Sequence, residues 1–182
     1  MLIQIEKTPN PNSLKFLPGK EVSTKSSFEI KSKDKINNEL VRNIFSVNGV
    51  TSIFLGKDFI SVNKKKEVDW EDIKHIVSSL IDEFYSSGNK YVINTDLDDI
   101  SESENKFQDI EKKIIKILET KVRPAVARDG GDIKFKEFND GIVKVELRGS
   151  CSGCPSSVLT LKQGVQNLLC HYIPEVKEVI AI

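Results

Sequence analysis

Two cysteines three positions apart, in the run Gly149-Ser150-Cys151-Ser152-Gly153-Cys154-Pro155, are the residues of this chain best suited to chemistry. Thiolates are soft ligands for zinc and iron–sulfur centres, and a Cys-x-x-Cys spacing presents two of them side by side. Residues 142 to 147 before the run alternate in polarity as a strand does. After it Val158, Leu161, Val165 and Leu168 recur at helical spacing. The motif therefore spans a strand-to-helix turn, with Pro155 in the first helical turn. Backbone N–H groups and the positive dipole end at a helix start favour thiolate sulfur, so both cysteines are expected to ionise readily. Gly149 and Gly153 allow the backbone to wrap closely around whatever the sulfurs hold.

Two thiolates are half of what a tetrahedral zinc site or a cubane cluster requires. Cys170 is a poor candidate for a third: sixteen residues beyond Cys154 on one helix mean about 24 Å of rise and roughly 160° of rotation. It reads as a small apolar helix residue. His171 is as distant, and His75 lies in the other half of the chain. The simplest completion is a second copy facing the first across a two-fold axis, which leaves the cluster exposed and easy to release. Other readings stay open on spacing alone: a disulfide or two half-buried small residues, a thiol–disulfide oxidoreductase, or a zinc-binding interaction module. Against the oxidoreductase, the motif does not follow the first strand of a βαβ unit.

Asp129-Gly130-Gly131-Asp132 reads as a tight turn between a helix and a strand pair, its carboxylates being too hard to ligate a soft centre. Arg123 and Lys162 are either surface charges or counter-charges for a tetrathiolate cluster. Neither histidine has a nucleophile and a carboxylate near it in sequence, so no catalytic residue is predicted and the chain is not read as an enzyme.

The elements that must position the cysteines fall into two blocks. Residues 86 to 106 lack any apolar period and carry Asp96, Asp98, Asp99, Glu102 and Glu104 against Lys90 and Lys106. This is the composition of an acidic linker. The expected organisation is a first domain over 1–88, a linker over 89–106 and a second domain over 107–182. The first block shows short strands at Leu2 to Ile5 and Ser13 to Leu17 around a Pro- and Asn-rich turn, a helix from about Ile36 to Phe45, a hairpin over 50–62 and an amphipathic helix from Trp70 to Phe84. The second opens with a helix from Phe107 that either closes near Arg123-Pro124 or continues, kinked, toward Ala127. Strands at Ile133 to Phe138 and Ile142 to Leu147 flank the turn Asn139-Asp140-Gly141, and the helix after Cys154 leads to a last strand, Val176 to Ile182. The fold class is α+β: two small α/β-sandwich-type domains, the second ordered α-β-β-α-β.

Composition limits the partners. Lys plus Arg and Asp plus Glu each number 27, which gives no overall attraction to nucleic acid or to a membrane surface. No apolar run approaches the roughly 20 residues that span a bilayer. Three cysteines do not make a disulfide framework, so a reducing compartment fits best.

Arg123-Pro124, Asp129-Gly130-Gly131-Asp132, Gly149, Cys151-Ser152-Gly153-Cys154-Pro155-Ser156-Ser157, Thr160-Leu161-Lys162 and Pro174-Glu175-Val176 together resemble the C-terminal domain of NifU, as found in Nfu-type iron–sulfur scaffold and carrier proteins. Thr8-Pro9-Asn10-Pro11, Ser13-Leu14-Lys15-Phe16, Gly49-Val50, Phe54, Gly56, Asp58-Phe59-Ile60 and Trp70 resemble the N-terminal domain that accompanies it. The resemblance covers nearly everything except the linker. It implies that Cys151 and Cys154 bind iron as part of a labile 4Fe-4S cluster bridged between two protomers, received from upstream assembly factors or assembled in place, and transferred to apo iron–sulfur client proteins. It implies a homodimer on cluster binding, a first domain that serves client or partner contacts, and no nucleic-acid or membrane partner. A bacterial cytoplasm is the expected compartment, with the mitochondrial matrix as the alternative for a processed form.

Overall fold

The computed structural model describes residues 3–24, 26–32, 38–93, 108–152 and 155–182. The chain is α+β, with two sheets and two hydrophobic cores.

In the first block β1 (Gln4–Lys7), β2 (Ser13–Leu17), β3 (Phe28–Ile30), β4 (Val50–Leu55) and β5 (Ile60–Lys64) form one antiparallel sheet in the order β1-β2-β5-β4-β3. Strand alternation sends Leu14, Phe16, Ile30, Ile53, Leu55, Ile60 and Val62 to one face, where they are buried with α1 (Glu39–Ser46) and α2 (Trp70–Ser86). The remaining positions, Ser13, Lys15, Glu29, Ser52, Phe54, Ser61 and Asn63, follow from register onto the opposite face. That face is polar, and yet Ser13, Lys15, Ser52, Phe54, Ser61 and Asn63 are all buried.

Three local outcomes refine the sequence reading. The first helix starts at Glu39, capped by Asn38, whose side chain accepts from Val41 N at 3.1 Å; residues 33–37 lie outside the described residues. β3 has no counterpart in the expected strands, because three residues give too short an alternation to register. Val92 and Ile93, assigned by composition to the linker, are buried in the first core, where both backbone N–H groups donate to Val22 O. Two apolar residues inside a polar stretch carry no period, but they suffice to fill a gap.

In the second block α3 (Asp109–Ile117) runs into a π turn (Leu118–Val122) and α4 (Arg123–Arg128). The helix therefore continues past Arg123-Pro124 rather than closing there. Pro124 has no N–H to donate to the preceding turn and its ring crowds that turn's carbonyl, and the widened π turn absorbs the mismatch. β6 (Gly131–Asn139) and β7 (Ile142–Gly149) form the expected hairpin across Asp140-Gly141, with φ values of 50° and 86°. α5 (Pro155–Tyr172) then crosses over to β8 (Glu178–Ala181), which pairs parallel with β7. The sheet order is β6-β7-β8. Ile114, Leu118, Val122, Val126, Val165 and Leu169 from the helices, with Ile173 just past α5, meet Ile133, Phe135, Val143, Val145 and Val179 from the sheet in the second core.

Candidate metal centre

β7 ends at Gly149 and the chain turns through a short 3-10 segment, Ser150–Ser152, before α5 begins. Ser150 N donates to Gly130 O at 3.2 Å and its hydroxyl donates to Asp129 O. Ser152 Oγ donates back to Gly149 O at 2.9 Å. The two Ser150 bonds lock the turn to the loop that joins α4 to β6, and the Ser152 bond closes the turn on itself. Cys151 is 7% exposed, belongs to the second core and lines a cavity of about 530 Å³ with Ala125, Thr160, Leu161, Pro9 and Asn10. Cys154, the other expected ligand, lies outside the described residues.

The environment of Cys151 corrects the expectation of a readily ionised thiol. Burial pushes its pKa up; the Ser150 hydroxyl, 3.9 Å from Sγ, pulls it down, and the charges of Asp129 and Asp132 push it up again. The net shift is upward. Cys151 sits in the packed turn ahead of the helix, where desolvation is the largest cause of the shift.

The Asp129-Gly130-Gly131-Asp132 segment is more than a turn. Gly130 has φ 81°, and a Cβ there would stand 2.7 Å from Ser61 Oγ. At Gly131 a Cβ would stand 2.6 Å from Arg148 O and 2.8 Å from Cys151 Sγ, so the second glycine is what lets the cysteine pack beside the loop. Asp132 accepts from Arg123 Nε at 2.8 Å and Nη2 at 2.9 Å, from its neighbour Ile133 N at 2.9 Å, and from Ser27 Oγ at 2.6 Å. Hydrogen bonding to Asp132 is the main reason the Arg123 guanidinium is held above its ordinary pKa, against an opposing effect of burial and with help from the charges of Asp132 and Glu119. Arg123 is thus committed to bracing the loop. Lys162 faces Glu178 at 3.5 Å. Cys170 packs against the second core from α5, as expected of a small apolar residue. Among the described residues no group of three or more His, Cys, Asp or Glu is placed to hold a metal ion.

Sequence reasoning missed a set of polar residues from the first block that hold the backbone around Cys151. Asn10 Nδ2 donates to Ser150 O at 3.0 Å, Asn63 Nδ2 to Gly149 O at 3.2 Å and Ser61 Oγ to Gly130 O at 2.7 Å. Glu29 Oε1 accepts from Gly149 N at 3.2 Å and Ser152 Oγ at 3.1 Å, and Lys15 Nζ donates to Arg128 O at 3.3 Å. Each such bond contributes about 0.5–1.5 kcal/mol net. In sequence, Ser61 and Asn63 read as the solvent side of an alternating strand. Asn10 reads only as part of the Pro- and Asn-rich turn, with no sign in the sequence that it is 3% exposed.

A cysteine-bearing strand-to-helix turn in an α-β-β-α-β block, covered by the polar face of an antiparallel sheet, defines an α+β protein with a thiol site at the junction of two units. The chain matches the family described as "Scaffold protein Nfu/NifU N terminal" over residues 3–88 and the "NifU-like domain" over residues 114–180. It is 43% identical over 182 residues to the human protein named "NFU1 iron-sulfur cluster scaffold homolog, mitochondrial", a match covering 98% of this chain and 71% of that one. To the Arabidopsis thaliana "NifU-like protein 4, mitochondrial" it is 40% identical over 185 residues, covering 98% and 65%. The chain belongs to the Nfu family of scaffold proteins, as its motifs implied. The solution structure of a NifU-like protein from Saccharomyces cerevisiae is 34% identical and covers 52% of this chain and 86% of its own, with a TM-score of 0.48.

Proposed function

We propose that this chain is a non-enzymatic scaffold and carrier whose cargo is an iron–sulfur cluster, held by Cys151 and Cys154 and completed by the same pair from a second copy. The cargo is read as a 4Fe-4S cluster that is passed to apo-proteins. The observation that carries this reading is the Cys-x-x-Cys pair within the NifU-like match, with no further group of ligand residues placed beside Cys151 among the described residues. Two ligands per chain make an assembly that forms by pairing and can be dismantled by a client's own thiolates. The domain limits are proposed as 1–88 and 107–182, with the acidic segment 89–106 between them apart from Val92 and Ile93. The relatives carry mitochondrial names, which supports the matrix alternative over the bacterial cytoplasm.

Anaerobic reconstitution with iron and sulfide is the test, read by absorption, iron and sulfide content and native mass. The expected result is a brown, oxygen-sensitive dimer, lost in Cys151→Ser and in Cys154→Ser. A colourless monomer after reconstitution overturns the proposal. A zinc module would instead lose its second-block fold on chelation.

A further inference from the structure

The polar face of the first sheet has no part in the chemistry proposed above, and it lies against the turn that the chemistry needs. Asn10, Ser61 and Asn63 are 3%, 0% and 9% exposed, the Glu29 side chain is 7% exposed, and each hydrogen-bonds to the Cys151 turn or the loop beside it. Their targets are backbone groups at Gly130, Gly149 and Ser150, on both sides of the cysteine. Cys151 itself is buried. A thiolate that shares iron with a second copy has to present its sulfur at the surface where the two copies meet.

The chemistry of the covering face shows what kind of contact this is. A face meant to stay covered is served best by apolar residues, as in permanent interfaces; this one has Phe54, which lies against Gly149, among Ser13, Lys15, Ser52, Ser61 and Asn63, which are hydrated readily when uncovered. Asn63 Oδ1 has no hydrogen-bond partner among the described residues and would gain one in water. The opposite face of the same sheet, which holds the core, pairs Leu14 with Val62, Phe16 with Ile60, Ile53 with Val62 and Leu55 with Ile60, and turns polar only at its margin, where Lys64 pairs with Val50. One sheet therefore has a permanent face and a releasable one.

We propose that the first block is an intramolecular cap: its polar sheet face, through Glu29, Ser61 and Asn63, and the β1–β2 turn, through Asn10, hold the cysteine turn in a closed state that excludes the second copy, and cluster binding requires the cap to lift. This rests on the scaffold reading for its purpose, but the cap is a property of the cluster-free chain and is tested there.

The experiment is alkylation of the full-length, cluster-free chain by iodoacetamide, with peptide mass mapping to follow Cys151 and Cys170 separately. Covered thiols react in proportion to the open fraction, so the triple variant Asn10→Ala/Glu29→Ala/Asn63→Ala is expected to raise the Cys151 rate by about tenfold or more while Cys170, packed on α5, stays as in the native chain. The single variants Glu29→Gln and Asn63→Ala are expected to give smaller increases, and they carry the test if the triple variant does not fold. A Cys151 rate within about twofold of native in folded variants overturns the cap, and so does an equal rise at both cysteines, which reports general loosening. Reconstitution is scored separately. A chain whose Cys151 is uncovered by the variants but that takes up no cluster keeps the cap and loses the scaffold reading; a chain that loads normally but whose Cys151 rate is unmoved does the reverse.

Discussion

Arg123 and Asp132 lie nine positions apart and meet through two parallel hydrogen bonds, the geometry in which a guanidinium binds a carboxylate most strongly. Asp132 is 8% exposed, so removing Arg123 strands a largely desolvated carboxylate, whereas removing Asp132 leaves a half-exposed guanidinium and also orphans Ile133 N and Ser27 Oγ. Arg123→Ala and Asp132→Ala are each expected to lower stability by about 2–3 kcal/mol in urea unfolding. The double variant should cost clearly less than the sum, because the pair is lost only once. A second charge cluster lies on the outer face of the second sheet, where Glu146 sits between Lys136 at 2.8 Å and Arg148 at 3.0 Å. Partial burial pushes the Glu146 carboxyl up, but the hydrogen bonds and charges of Arg148 and Lys136 outweigh it and bring the pKa down to about 2. A carboxylate whose folded pKa lies below its unfolded value adds stability above the unfolded pKa and loses it as pH falls through the folded one. The stability gap between the native chain and Glu146→Gln should therefore be full above pH 4.5 and shrink steadily toward pH 2, as followed by urea midpoints. At this scale the sequence disclosed which residue types could ligate, but not which were desolvated. Cys151 shows why: its ionisation is set by a core and by aspartates that fold back from the other side of the hairpin, and neither is visible in a three-residue spacing.

Among the elements, α1 depends most on its cap. It has eight residues, too few for a helix to hold on propensity, and Asn38 both caps Val41 N and donates to Val92 O at 2.6 Å. Asn38→Ala is expected to cost about 1–2 kcal/mol, while Asn38→Asp keeps the cap and loses only the bond to Val92. The difference between the two variants in thermal or urea unfolding separates helix capping from the tie that holds the Val92 segment in place. Elements with long periods were legible in the sequence: α2, α5 and the β6–β7 hairpin stand where their apolar spacing and the Asp140-Gly141 turn put them. β3 and Val92-Ile93 were not, because two or three residues define no period and their burial is decided by a gap in a distant sheet. The π turn ahead of Pro124 was half legible, since proline announces a disturbance but tertiary packing chooses between ending the helix and widening it.

The whole molecule ties these together through one sheet with two different faces. The sequence marks β2, β4 and β5 as strands of the first block, and only the presence of the second block turns the face away from their core into a contact. That contact makes the scaffold proposal quantitative. If a loaded dimer forms from two uncapped copies, its apparent dissociation constant varies as the inverse square of the uncapped fraction, since each copy must open. A variant that opens tenfold more often should then dimerise around its cluster at up to about a hundredfold lower chain concentration. Sedimentation velocity on reconstituted, anaerobic native chain and on Asn10→Ala/Glu29→Ala/Asn63→Ala, over a range of concentrations, reads this directly. A leftward shift of the variant's monomer-to-dimer midpoint supports competition between the cap and the second copy for the same turn. Coincident midpoints, with Cys151 still uncovered in the alkylation assay, would mean that the second copy approaches from a side the first block leaves free. The polar sheet face would then shield the cysteine turn without governing its pairing.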